Sequence, residues 1–475
     1  MSALPMTPFA AAPPETLPRR VAVLGFARSG RALTGALAAR GVAVTVGDSR
    51  PESEFDGLEV HRARGVRFFF GKPPPEFLVG ADWLAVSPGV PLDVAPVREA
   101  RARGIPVLSE IEAAWRIAEA EGSENRWIAI TGTNGKSTTT TWIAEILKRA
   151  GRPVALAGNI GAPLSGFLSE PAPRDFVCEL SSFQLEGVER FRPHVAVLTN
   201  ITPDHLDRYS GFSEYAAAKA RVFARQEPGD FAVVNADDIA SRAIGTRARR
   251  VLFSRRGRPA GAGPAAWLEA GELVSDVAAP KHGVVPADRL ALPGAHNVEN
   301  ALAALAAAEC LGAPAEAIVS ALTRFEGLPH RSQLVAEADG VRWVDDSKGT
   351  NVDAALKSLE GYAPDSVVLI LGGRDKHGDF AALSRLVRRN ARVVLTIGEA
   401  APVIEPALAG AAPIERADTM EHAVARAAAL ARPGDTVLLS PACASFDQYR
   451  DFEERGRHFA QLAGRAAGGV AKHGA

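Results

Sequence analysis

The chain has 475 residues, 47% of them hydrophobic and 23% charged, the balance of a folded soluble protein, and at ~150 residues per domain the length suggests about three domains. The formal net charge of −1 offers no global field to nucleic acid or an anionic membrane, and basic residues are spread without a Lys/Arg block, so no nucleic-acid partner is expected. The cysteines Cys178, Cys310 and Cys443 are odd in number and far apart, which argues against a disulfide framework or a zinc site and fits a reducing cytoplasm.

The opening MSALPMTPFAAAPPETLPRR lacks a charged start followed by an apolar core, and its prolines predict a loose extension rather than a signal peptide. No stretch approaches the ~18–20 uncharged apolar residues of a membrane span, so no membrane insertion is expected. RVAVLG reads as a strand ending at Gly25, a helical stretch to Arg40 stops at Gly41, and VAVTVGD is a second strand ending at Asp48. This is a βαβ unit. Its turn, GFARSG, is a dinucleotide fingerprint with Ala27 in place of the middle glycine; Asp48, about twenty residues on, stands where an acid can hold a ribose hydroxyl. A merely tight turn explains the same residues.

WLAVSPGVP (83–91) predicts a further strand running into a Pro-Gly loop, and SEIEAAWRIAEAEGSENR (109–126) a helix followed by a polar hinge. WIAI then opens a second unit with TGTNGKST (131–138) as its turn. The helix that follows carries Trp142, Ile143, Ile146 and Leu147 on one face. Strands are predicted at 175–180, 194–200 and 230–238, irregular or small antiparallel structure over 255–290, and an alanine-rich helix from about Asn297 to Leu311. After the link FEGLPHRSQ (325–333), the strands VRWVDD, SVVLILGG, ARVVLTIG and DTVLLSP alternate with helical segments. The predicted fold class is α/β with three domains: Rossmann-like over 1–114, a P-loop-type, mostly parallel sheet over 115–327, and Rossmann-like over 328–475.

Strand, TGTNGKS, helix is the context a phosphate loop requires, although the usual spacing is G-x-x-x-x-G-K-[ST] and the nearest upstream glycine here is Gly132. Small residues let backbone N–H groups turn toward phosphate oxygens, and the helix N-terminus adds its positive end. Lys136 is the cation for the terminal phosphates and Ser137 a hydroxyl ligand for Mg²⁺. Glu179 ends the strand DFVCEL, where a carboxylate beside such a loop serves Mg²⁺; a solvated strand-end acid is the plainer reading. His205 lies between two aspartates after another apolar strand and is a candidate second metal ligand at the same sheet edge.

Taken together, TGTNGKST, ELSSFQLE (179–186), NITPDHLDRY (200–209) and GAHNVENALAA (294–304) resemble the Mur ligase family of ATP-dependent amide-forming enzymes, in which the shortened loop is the family's own form of phosphate cradle. The resemblance runs from about residue 20 to about 465. In the third unit, DDSKGTN, LGGRDKHGDF and LLSPACASFDQYRDFEERG are similar to the members that add D-glutamate to UDP-N-acetylmuramoyl-L-alanine. The resemblance implies that ATP phosphorylates the L-alanyl carboxylate and that the amine of D-glutamate captures the acyl phosphate, releasing ADP and phosphate. It also implies a cytoplasmic monomer working in peptidoglycan precursor synthesis.

By the same resemblance, Lys136, Glu179, His205 and Lys219 are the catalytic set. Two Mg²⁺ ions are expected, one served by Ser137 and Glu179 and the other by His205 and by Lys219 as a CO₂-derived carbamate. Without the resemblance Lys219 reads as a solvated helix lysine. Asn134, Gly135, Lys136, Ser137 and Thr138 are the expected phosphate contacts, Asn297 and Asn300 the adenine side, and Arg331 and Asp346 the contacts to phosphate and ribose from the third unit. Ser29, Asp48, Ser49, Arg50, Ser87 and Gly89 match uridine and phosphate contacts of the precursor, and Asn159 a sugar-peptide contact. Lys348, Thr350, Lys376, Ser445 and Phe452 match the D-glutamate site. Closure of the third domain on ATP binding is expected. Competing readings are another ligase of the family, a folylpolyglutamate synthase, a nucleotide-dependent binding protein without catalysis, and a nicotinamide enzyme resting on GFARSG and Asp48 alone.

Overall fold

The computed structural model describes residues 16–468 except 172, 206, 207, 262, 279, 293 and 326; most of the predicted N-terminal extension and Asp207, one of the two aspartates flanking His205, lie outside the described residues. Two compact units form. One takes the described residues up to Ile201 with Tyr215–Leu290 and Asn297–Phe325; the other takes Thr202–Glu214, Ala291–His296 and the described residues from 327 on.

The first unit carries two sheets. In the N-terminal one, β1 (Arg20–Leu24), β2 (Ala43–Asp48), β3 (Arg67–Phe70), β4 (Trp83–Val86) and β5 (Val107–Ser109) lie in the order β3-β2-β1-β4-β5, all parallel. Its central strands are near-continuous apolar runs because helices cover both faces. The helix Arg28–Ala39 stops as predicted: Gly41 takes φ 74°, a left-handed C′ position that glycine fills without strain. Strand order reverses beside β1, so the turn after it opens at a topological switch point.

The second sheet comprises β6 (Arg126–Thr131), β7 (Val154–Gly158), β8 (Asp175–Glu179), β9 (Val195–Leu198), β10 (Phe231–Asn235), β11 (Arg249–Ser254), β12 (Ala265–Glu269), β13 (Glu272–Ser275) and β14 (His282–Pro286). The order is β14-β13-β12-β11-β10-β9-β6-β8-β7. It is parallel from β7 to β12 and antiparallel through β13 and β14, so the Gly/Pro-rich stretch resolves into the small antiparallel edge. The predicted helix face is entirely buried: Trp142, Ile143, Ile146 and Leu147 are all sealed from solvent. Under the sheet Trp127 stacks on Phe176, centroids 4.4 Å apart.

The other unit is built on β15 (Gln333–Ala338), β16 (Val341–Asp345), β17 (Val367–Gly372), β18 (Ala391–Ile397), β19 (Ile414–Asp418) and β20 (Thr436–Leu439) in the order β15-β16-β20-β17-β18-β19. Only β15 runs antiparallel. Two apolar cores, one on each face, enclose it.

The helix Glu110–Ala120 leaves β5 with Ser109 as its N-cap, accepting from the Glu112 N–H. Glu112 is fully buried. One carboxylate oxygen accepts from Arg190 N (2.8 Å) and Arg116 Nε (2.7 Å), the other from Glu189 N (3.0 Å) and Phe191 N (2.8 Å). Glu112→Ala takes the buried carboxylate away from a guanidinium that is itself 4% exposed, leaving it the exposed Glu189 carboxylate, and strands three backbone donors. Breaking a buried pair in this way costs ~3–5 kcal/mol, so chemical denaturation of this variant is expected to show a loss of that size.

Candidate active site

The phosphate loop occupies the C-terminal end of β6, between β9 and β8. Two glycines shape it. Gly132 has φ 146° and Gly135 φ 80°; Gly135 caps the helix Lys136–Arg149. A Cβ on Gly132 would lie 1.9 Å from Thr199 Oγ1, and one on Gly135 would lie 2.1 Å from Asn300 Oδ1. The loop is pinned from below by the end of β9. Asn200 O accepts from Thr133 N (2.8 Å), Asn200 Oδ1 accepts from Asn134 N (3.0 Å), and Asn134 O accepts from Thr199 Oγ1 (2.6 Å) and Asn200 Nδ2 (3.1 Å). Sequence reasoning passed over this Thr-Asn pair; its signal is a polar dipeptide closing an apolar strand.

Asn300 Nδ2 donates to Asn297 Oδ1 at 3.2 Å. The helix Ala295–Cys310 brings the Asn300 amide beside Gly135 of the loop; the sequence expectation for Asn297 and Asn300 is the adenine side. Gly135→Ala forces a side chain into both a left-handed backbone and that amide. Such strain is worth ~1–3 kcal/mol, so the ATP KM should rise roughly ten- to hundredfold with the KM for the amino acid unchanged, read by steady-state kinetics.

Lys136 folds over its own loop, Nζ donating to Gly132 O (2.9 Å) and Thr133 O (2.7 Å). Ser137 and Thr138 are buried in the first turn of the helix. Glu179 is paired with Ile130 across β6 and β8 and is fully buried, which removes the solvated strand-end reading. Asn159, expected to face a sugar-peptide, donates from Nδ2 to Glu179 Oε1 at 2.7 Å, so in this structure it orients the carboxylate.

Lys219 is 2% exposed. Its Nζ donates to Gly132 O at 2.7 Å and lies 4.6 Å from the centre of the Tyr215 ring, whose hydroxyl is 3.1 Å from Thr133 Oγ1. Lys219 is therefore not a solvated helix lysine; the last turn of Phe212–Ala220 faces the phosphate loop.

In the N-terminal sheet, Asp48 ends β2 and its carboxylate is taken up locally, accepting from Phe26 N (2.7 Å), Arg50 N (3.0 Å) and the Arg50 guanidinium. Burial opposes its ionisation, but Arg50 and the two N–H groups prevail and hold the carboxyl below its ordinary value. Asp48 thereby also braces the GFARSG turn. Ser87 Oγ donates to Gly25 O (2.9 Å), a second brace. Ser29 is half-buried and Ser49, Arg50 and Gly89 are exposed around the same turn.

In the other unit, His205 takes φ 55° and its N–H donates to Asp204 Oδ1 at 2.9 Å. Asp204 also accepts from Lys376 Nζ (3.0 Å) and Asn351 Nδ2 (2.9 Å). Burial pushes its carboxyl up, yet Lys376, His205 and Asn351 outweigh that and bring it to about 2. Asp346 accepts from Ser440 Oγ (2.8 Å) and Ser332 N (3.2 Å); burial, only partly offset by Ser440 and Arg331, lifts it to about 6. Lys348 Nζ sits 3.9 Å from the Phe452 ring centre, Thr350 N donates to Lys348 O (2.8 Å), and Ser445 is buried.

Family models match almost end to end: "Mur ligase MurD-like, N-terminal domain" over residues 19–109, "Mur ligase middle domain" over 130–308 and "Mur ligase, glutamate ligase domain" over 330–443. The chain is 46% identical over 450 residues to the UDP-N-acetylmuramoylalanine–D-glutamate ligase of Pelotomaculum thermopropionicum, covering 94% of this chain and 97% of that one. It is 44% identical to the enzyme of the same name from Anaeromyxobacter dehalogenans, covering 95% and 99%. Among solved structures it has the fold of UDP-N-acetylmuramate-alanine ligase MurC from Thermotoga maritima (TM-score 0.57, 19% identity, 94% and 98% covered). It likewise has the fold of MurF ligase from the same organism in complex with ADP (TM-score 0.57, 17% identity, 90% and 95% covered).

Proposed function

The chain belongs to the Mur ligase family, and from that premise we propose that it is the ATP-dependent ligase that joins D-glutamate to UDP-N-acetylmuramoyl-L-alanine. The observation that carries this reading is full-length similarity to D-glutamate ligases in a chain whose phosphate loop keeps Lys136, Glu179 and buried Lys219 together.

The chemistry asks for a carboxylate to meet a polyanion. An oxygen of the L-alanyl carboxylate attacks the γ-phosphorus of ATP, the bond to the bridging oxygen breaks, and ADP departs. The amine of D-glutamate then attacks the acyl carbon, and the C–O bond breaks with its electron pair leaving on phosphate. The neutral amine gives up one of its two protons, and an amide that keeps the other remains. The loop N–H groups and the helix N-terminus at Gly135 hold phosphate oxygens. Lys136 exchanges its loop carbonyls for the terminal phosphates and offsets the charge that grows there.

The residues present suit Mg²⁺: a sealed carboxylate at Glu179, aimed by Asn159, and the Ser137 hydroxyl in the first turn of the helix. When bound, Mg²⁺ screens the repulsion between the triphosphate and the incoming carboxylate. Lys219, as a carbamate, and His205 would serve a second ion. Converting Lys219 turns a buried cation beside the loop into an oxygen donor, and its burial against Tyr215 keeps that group fixed.

Asn134, Thr138, Asn297 and Asn300 complete the nucleotide contacts, with Arg331 and Asp346 reaching phosphate and ribose. Ser29, Asp48, Ser49, Arg50, Ser87 and Gly89 surround the uridine diphosphate, and Lys348, Thr350, Lys376, Ser445 and Phe452 take the D-glutamate. The domains of this reading are 1–114, 115–327 and 328–475, in a cytoplasmic monomer. The decisive assay measures ADP release with UDP-N-acetylmuramoyl-L-alanine and either D- or L-glutamate. Turnover confined to D-glutamate is the expected result; equal turnover with L-glutamate, or none with either, overturns the assignment.

A further inference from the structure

Arg455 is 1% exposed in the first turn of the helix Phe452–Ala466, and each of its hydrogen-bond partners is a neutral oxygen. Nε donates to Ser347 Oγ (3.0 Å) and Nη2 to Ser347 O (2.9 Å) and Cys443 O (3.1 Å). Nη1 donates to Ala444 O (3.2 Å) and, at 3.5 Å, to Gly372 O. Burial pulls the guanidinium down to about 10, so it stays charged at neutral pH. A charge taken out of water without a paired carboxylate is costly, and a tie needed only for stability is more cheaply made by neutral groups.

What the guanidinium ties together gives its purpose. Ser347 precedes Lys348 and leads to Thr350; Cys443 and Ala444 lead to Ser445; Gly372 leads toward Lys376. These are the three segments that carry the polar side chains assigned to the incoming amino acid, and the fourth element, Phe452, sits on the helix of Arg455 itself. Ser347 is held on every side: its N–H donates to Asp345 Oδ1 (2.8 Å) and its hydroxyl to Phe452 O (2.8 Å), while both its oxygens accept from Arg455. Ala444 also exchanges two backbone hydrogen bonds with Arg374, at 2.9 and 3.0 Å, which locks the 372–376 segment to the same hub. Five donors in one rigid plane suit this task, and the three donors of a lysine ammonium at the end of a flexible stem do not.

We propose that Arg455 is the positioning residue of the amino-acid site, fixing the relative placement of Lys348, Lys376, Ser445 and Phe452 and thereby setting the affinity for the incoming dicarboxylate. This rests on the D-glutamate ligase reading. The test is steady-state kinetics of Arg455→Lys and Arg455→Met with each of the three substrates varied in turn, beside thermal unfolding of each variant. Arg455→Lys keeps the charge and loses the fork; Arg455→Met loses both. The KM for D-glutamate should rise at least tenfold in the lysine variant and further in the methionine variant, with the KM values for ATP and UDP-N-acetylmuramoyl-L-alanine within twofold of the parent.

A KM for D-glutamate within twofold of the parent in both variants overturns the proposal, as does an equal rise in all three KM values. If Arg455→Met does not fold, Arg455→Lys and Ser347→Ala, which removes one acceptor, carry the same comparison: a rise confined to the D-glutamate KM supports the proposal and its absence overturns it. The parent enzyme separates the two levels. No turnover of D-glutamate by the parent sinks the functional reading, whereas parent turnover with unshifted variants sinks only this inference.

Discussion

Lys136→Ala is expected to lower kcat for D-glutamate-dependent ADP release by ~10³-fold or more, since loss of one preorganised donor aimed at developing charge already costs about 10²–10³ and this one also opposes the repulsion between two anions. In the structure its ammonium is held by Gly132 O and Thr133 O. Those carbonyls are replaceable partners, so the free enzyme gives up little when the lysine moves to phosphate. Alanine should leave the fold intact because the loop is pinned by Thr199 and Asn200 rather than by Lys136. Unchanged thermal unfolding with turnover near the parent value would remove Lys136 from the reaction.

Lys219→Ala is the second large effect. The side chain is sealed against Tyr215 and donates to Gly132 O, so truncation opens a cavity beside the phosphate loop and removes the group proposed to become a carbamate. Turnover should fall by ~10²–10³, the scale of losing one electrostatic group at the reaction centre. Short carboxylic acids such as acetate or formate should restore part of it by occupying that cavity with a carboxylate. Parent-like turnover of the variant without additive would remove the carbamate from the mechanism. Restoration by short primary amines rather than acids would assign Lys219 as an ammonium.

Much of this was legible before the structure. The runs RVAVL, VAVL and VVLILG are buried on both faces and announce parallel strands; TGTNGKST between a strand and a helix announces the phosphate loop. Less visible were RFFF, which has no alternation and forms an edge strand, the three residues of β5, and the helix Ala315–Thr323. Residue type alone failed where long-range packing decides: Lys219 looks like a surface lysine until Phe212–Ala220 is seen against Gly132, and neither the type nor the spacing of Asp48 announces that its carboxylate accepts from Phe26 N and Arg50. Arg455 carried no signal, since its partners are one hydroxyl and several backbone oxygens from segments 11 to 108 residues away.

The carboxylate of Glu112 makes the amides of Glu189, Arg190 and Phe191 sensors of one helix. They lie in a loop, where amides ordinarily exchange with solvent deuterium fast, yet each donates to the same buried side chain on Glu110–Ala120. Their protection should therefore vanish together, at the rate at which that helix detaches. This gives three mass-resolved reporters of how tightly the segment joining the first two sheets is clasped.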